Sequence, residues 1–197
     1  DYDRNVSSDG DTPGNLRQGG SITINGGVVR TEPFALPEGN PLAVDSVGIG
    51  TCQMGYGGSV TINGGTVIAE ATCDAITTGY GGTITINGGD VTAIGGVNNF
   101  GENSHRVLSG NGIGPYESGS VIINGGTVKA SSPNGAAIGG SMGSGASSGG
   151  DGGSITINDG SVTATSTLGA AIGGGGGNVD GGDGGTITIY GGVVEAI

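Results

Sequence analysis

The sequence predicts an all-β fold, a right-handed parallel β-helix of about six coils with three short strands per coil. Three observations carry that expectation. A nine-residue block recurs six times, each copy alternates apolar and polar residues, and glycine, 50 of 197 residues, separates the short apolar runs. Globular domains average roughly 7% glycine. Collagen is excluded, because the glycines do not fall at every third position. A disordered linker would not space Val, Ile and Thr in fixed blocks.

The first strand of each coil comes from the block itself. It runs Gly19-Gly-Ser-Ile-Thr-Ile-Asn-Gly-Gly27 and returns starting at Gly57, Gly81, Ser118, Gly152 and Gly184, at spacings of 38, 24, 37, 34 and 32 residues. Alternation puts Ile22 and Ile24 on one face and Ser21 and Thr23 on the other. A second strand follows at once, as in Val67-Ile-Ala69, Val91-Thr-Ala93, Val128-Lys-Ala130 and Val162-Thr-Ala164. Val and Ala are expected inside, with the middle residue outside. A third apolar element closes the coil: Val47-Gly-Ile49, Ala75-Ile76, Gly112-Ile113, Ala136-Ala-Ile138 and Ala170-Ala-Ile172. Three strands joined by glycine corners make one coil, and stacked coils pair like strand with like at ~4.8 Å. Residues 1–18 read as a polar cap or linker, and 19–197 as a single β-helix domain. An uncovered last coil would expose a strand edge, which predicts that the natural protein continues past Ile197.

Charge narrows the partners. Five basic residues face 17 acidic ones, for a net charge of −12. Nucleic acid is excluded as a partner, because phosphate contacts need clustered Lys and Arg. An anionic membrane surface is disfavoured for the same reason. No apolar run approaches the ~20 residues that a spanning helix needs.

The repeat resembles the glycine-rich repeats of large surface proteins from Gram-positive anaerobes, and a clostridial group of β-helical carbohydrate-binding proteins. The segments carrying the resemblance are Gly-Gly-Thr-Ile-Thr-Ile-Asn-Gly-Gly, Val-Thr-Ala and Gly-Ala-Ala-Ile-Gly-Gly, over residues 19 to 197. The resemblance implies a right-handed β-helix, an extracellular or cell-surface location, polysaccharide or glycan binding, and calcium in some members.

Candidate site residues lie in one corner column, just before each block: Gln18, Tyr56, Tyr80, Glu117, Asp151 and Asp183, with Tyr116 one place earlier. Tyr56, Tyr80 and Tyr116 would then share an edge suited to stacking on sugar rings, since tyrosine offers an apolar face and a hydroxyl. The alternative is that they cap the corner and stack on one another. The lower corner, Glu117, Asp151, Asp180 and Asp183, supplies oxygens of the kind calcium takes, though without the nonapeptide spacing of calcium-binding β-rolls. A solvated acidic loop is the competing reading.

Other columns read as structure. Outward Ser and Thr (Ser21, Ser59, Thr83, Ser120, Ser154, Thr186; Thr23, Thr61, Thr85, Ile122, Thr156, Thr188) resemble ice-binding arrays, but exposed Thr is ordinary in strands. Asn25, Asn63, Asn87, Asn124 and Asn158 form a ladder able to bond rung to rung. Cys52 and Cys73 fall in adjacent coils, three residues after Ile49 and three before Ile76, so a disulfide requires a local bend; buried thiols are the alternative. Catalysis is poorly supported. His105 is the only histidine and sits in a polar insertion. Asp45 and Asp74, the nearest carboxylates in adjacent coils, fall in different columns, and hydrolases need a facing pair. The sequence therefore points to a non-catalytic glycan-binding or adhesion module, monomeric within a longer surface protein. The alternatives are a rigid spacer without a ligand and a fragment of a β-helical polysaccharide-degrading enzyme.

Overall fold

The computed structural model describes residues 18–33, 46–51, 55–99, 107–116, 118–143, 148–177 and 179–197. They form a parallel β-helix with five rungs of three strands and two strands of a sixth. The first sheet stacks Ser21–Ile24, Ser59–Ile62, Thr83–Ile86, Ser120–Ile123, Ser154–Ile157 and Thr186–Ile189. The second stacks Val28–Thr31, Thr66–Glu70, Asp90–Ile94, Thr127–Ser132, Ser161–Ser166 and Val193–Ala196. The third has one rung fewer: Ile49–Gly50, Ile76–Thr78, Ile113–Pro115, Ile138–Gly139 and Ile172–Gly173.

Every pairing in these sheets is parallel and keeps the repeat in register. Ile22 meets Val60, Val60 meets Ile84, and Val121 meets Ile155. Strands of two to six residues suffice, because each needs only to cross one side of the coil. Alternation then sends one set inside. Val60, Ile62, Ile84, Ile86, Val121, Ile123, Ile155 and Ile157 from the first sheet meet Val67, Ala69, Val91, Ala93 and Val128 from the second, with Ile76, Ile113 and Ile138 from the third, all at or below 1% exposure. At ~25 cal/mol per Å² of apolar surface, this continuous column is the main force holding the stack together. The last rung repeats the pattern, but no described rung covers it, and Ile187 and Ile189 are 43% and 50% exposed.

The insertion of the third coil contains an antiparallel hairpin, Val97–Asn99 with Val107–Ser109. The coil reading did not include it. Its strands are three residues each, too short to show alternation. Among the described residues, no helix is long and apolar enough to cross a membrane.

Candidate functional site

Two corners of the coil flank the first sheet. After it comes the asparagine corner, where Nδ2 of each asparagine donates to Oδ1 of the one above: Asn63 to Asn25, Asn87 to Asn63, Asn124 to Asn87 and Asn158 to Asn124, each at 2.7 Å. An amide that donates at one end and accepts at the other can propagate along a stack only if every rung carries the same residue. The ladder ends at Tyr190 in the sixth rung. This corner is structural, as its repetition indicated.

Before the first sheet lies the tyrosine corner. Its residues form a backbone column: Gln18 pairs with Tyr56 and Tyr56 with Tyr80, and Gly19 and Gly57 donate to the carbonyls of Tyr56 and Tyr80 at 2.7 Å. Lower down, Gly152 donates to the Asp183 carbonyl at 2.8 Å in the same manner. Tyr116 enters one residue early, its N–H donating to the Thr78 carbonyl at 2.9 Å, yet its ring reaches the same edge. The Tyr56 and Tyr80 rings stack with centroids 5.2 Å apart and planes 28° from parallel. Tyr80 and Tyr116 meet edge to face at 4.9 Å and 75°. Both geometries suit the ring quadrupole. Tyr56 is 44% exposed; the other two are half-buried. The corner therefore combines one contiguous aromatic surface with mutual stacking.

The acidic residues sit lower on the same side. Asp151, Asp180 and Asp183 are exposed, and the Asp183 N–H donates to Asp151 Oδ1 at 2.9 Å. Glu117 lies outside the described residues. Among those described, no group of three or more His, Cys, Asp or Glu is placed to hold a metal ion. Cys52, His105 and Asp45 also lie outside the described residues, and with them the cysteine pairing and the Asp45–Asp74 pair; Cys73 is buried. The outward Ser and Thr columns are in register, and Ser59 Oγ donates to Ser21 Oγ at 3.0 Å.

Sequence reasoning missed a buried polar knot at the third sheet. Asp74, 1% exposed, accepts from the Asn111 N–H at 2.9 Å and the Ser141 hydroxyl at 2.8 Å, with the Cys73 thiol 3.7 Å away. Asn111 Nδ2 in turn faces the Gly139 and Gly114 carbonyls at 2.9 and 3.2 Å and Ser141 Oγ at 3.1 Å. The knot ties the second, third and fourth coils. A signal existed: Asp74 and Asn111 each stand two residues before an inward isoleucine, so alternation aims both inside. The knot is enclosed, which makes it a fastening of the stack.

The β-helix repeat family model matches residues 84–115, 121–153 and 155–177. No curated protein and no solved structure matches the chain. Over its third to fifth coils the chain is thus similar to the β-helix repeat family, and by its own sheets it is a parallel β-helix repeat protein.

Proposed function

We propose that this β-helix is a non-catalytic glycan-binding or adhesion module of an extracellular surface protein, and that a polysaccharide lies along the tyrosine corner. One observation carries the reading: Tyr56, Tyr80 and Tyr116, separated by 24 and 36 residues in sequence, converge with ring centroids 5.2 and 4.9 Å apart. A rigid aromatic edge of this kind offers a sugar ring an apolar surface at little entropic cost. The exposed carboxylates of Asp151, Asp180 and Asp183 lie lower on the same side. Calcium held there would bridge the corner to sugar hydroxyls, since hard cations take oxygen ligands from both.

The test is retention on insoluble polysaccharides and on a glycan array, with calcium and with chelator. The Tyr56→Ala, Tyr80→Ala double variant is expected to lose retention while staying folded. Unchanged retention would end the tyrosine assignment, and binding indifferent to chelator would remove the calcium. The second reading is a spacer without its own ligand. Mutual ring stacking favours it, because stacked tyrosines already satisfy one another. A folded sample that binds nothing on the array is its signature.

A further inference from the structure

The asparagine ladder has a direction. Asn63, Asn87 and Asn124 each donate to the rung above and accept from the rung below. Asn25, in the first rung, accepts from Asn63, but its own Nδ2 has no partner among the described residues. Four rungs share one local sequence: Ile24-Asn-Gly-Gly27, Ile62-Asn-Gly-Gly65, Ile86-Asn-Gly-Gly89 and Ile123-Asn-Gly-Gly126. In an Asn-Gly pair the main chain readily attacks the side chain before it, because glycine carries no side chain to hinder its nitrogen.

The four pairs start out equal. All four asparagines are exposed. The Gly26, Gly64, Gly88 and Gly125 N–H groups make no hydrogen bond with a described residue. What differs is the rung above. A Cβ on Gly64, Gly88 or Gly125 would lie 3.4–3.8 Å from the backbone oxygen of the asparagine above, and one on Gly65, Gly89 or Gly126 would lie 2.5–2.6 Å from the glycine above. On Gly26 and Gly27 it would meet nothing within 4 Å. Ring closure must turn the side chain so that Cγ meets the next nitrogen. In a middle rung that breaks two ladder bonds beneath a covering rung. At Asn25 it breaks one, in open space.

We propose that Asn25 is a site of self-modification through a succinimide, and that the ladder shields Asn63, Asn87 and Asn124 from the same reaction. The Gly26 nitrogen bonds to Asn25 Cγ, the Cγ–Nδ2 bond breaks, and the Gly26 proton leaves with Nδ2 as ammonia. Water then opens the ring at either carbonyl, giving aspartate or isoaspartate. The direction of the ladder suits the aspartate product. The first rung need only accept, and a carboxylate accepts the Asn63 Nδ2–H as a charge-assisted bond. At Asn87 a carboxylate would stand where a donor to Asn63 is required. The site is distinct from the tyrosine corner and does not depend on it.

The experiment incubates the full chain at mildly alkaline pH in H₂¹⁸O, digests it in ordinary water, and maps ¹⁸O-labelled aspartate and isoaspartate by mass spectrometry. In the folded chain Asn25 should convert at least about threefold faster than Asn63, Asn87 or Asn124, one ladder bond being the difference. In urea the four should convert at one rate, because they share one local sequence. Equal rates in the folded chain, or Asn87 converting faster than Asn25, would overturn the site. Asn63→Ala takes the upper bond from Asn87 and should speed its conversion at least about threefold, with Asn124 unchanged. An unchanged Asn87 in a variant that still unfolds cooperatively in urea would also overturn it. If that variant does not fold, the four rates in the unmodified chain decide alone.

Discussion

The two corners flanking the first sheet are built from the same short coil, yet one repeats and the other changes. The asparagine corner carries one residue through five rungs, joined by four side-chain bonds of 2.7 Å. The tyrosine corner runs Gln18, Tyr56, Tyr80, then Asp151 and Asp183. The backbones differ too. At the asparagine corner the second glycine is left-handed in every rung, and a Cβ on Gly65, Gly89, Gly126, Gly160 or Gly192 would lie 2.4–2.8 Å from the carbonyl of the rung above. At the tyrosine corner the second glycine is packed in the same way, a Cβ on Gly82, Gly119, Gly153 or Gly185 lying 2.1–2.6 Å from a carbonyl of the rung above, whereas Gly57 and Gly81, the first glycines, are left-handed but a Cβ there meets nothing within 4 Å. The asparagine corner adds to that packing a repeated side chain, interrupted at Tyr190 in the sixth rung. The tyrosine corner keeps the packed glycine but changes the side chain before it from rung to rung.

A matched pair of substitutions sharpens this contrast. Gly89→Ala combines left-handed strain of roughly 1–2 kcal/mol with a Cβ placed 2.6 Å from the Gly65 carbonyl oxygen. We expect about 3 kcal/mol of destabilisation, read as a lower urea midpoint at unchanged slope. Gly81→Ala carries only the strain, most of it offset by the lower freedom of the unfolded chain, and about 0.5 kcal/mol is expected. Equal losses would mean that the first glycine of the tyrosine corner is as closed as the second glycine of the asparagine corner.

Side chains give the next test. Asn87 takes part in two ladder bonds, and Asn87→Ala removes both. Exposed bonds contribute toward the lower end of ~0.5–1.5 kcal/mol each, so a loss of about 1–2 kcal/mol is expected with no change in polysaccharide retention. Tyr80→Ala removes two ring contacts and should also cost about 1–2 kcal/mol at ~0.5–1.5 each. Retention should fall with it. The two variants then match in stability and part in binding. If both bind alike, the tyrosine corner is another fastening.

Much of this was legible from the chain. Gly-Gly at fixed distances from Ile-Thr-Ile marked the corners, and the offset of each tyrosine from its block placed three of them on one edge. Ring orientation was not legible, because it depends on how Tyr116, entering one residue early, turns back onto Tyr80. The Asp74–Asn111–Ser141 knot was half legible. Alternation aims the first two inside, whereas Ser141 arrives from a glycine-rich tract that has no period. The orphaned hydroxyls of Thr51 and Thr78 look in sequence like ordinary strand threonines. Only their side-chain placement, which leaves neither hydroxyl a hydrogen bond, sets them apart.

The smallest expected effect lies where the tyrosine corner departs from glycine. Ser118 occupies the place of Gly57 and Gly81 and holds φ at 54°, beside their 62° and 68°. It is the one left-handed residue other than glycine among those described. A serine there carries roughly 1 kcal/mol of backbone strain. Ser118→Gly relieves it but frees the unfolded chain, which costs about 0.4–1 kcal/mol in return. The net gain should be about 0.5 kcal/mol or less, a rise in melting temperature of roughly 1–2 °C for a chain of this length. The reverse change, Gly81→Ser, should lower it by a similar amount, since a Cβ at Gly81 meets open space. A loss well beyond that would show that the corner is closed at Gly81, and that its freedom belongs to Ser118 alone.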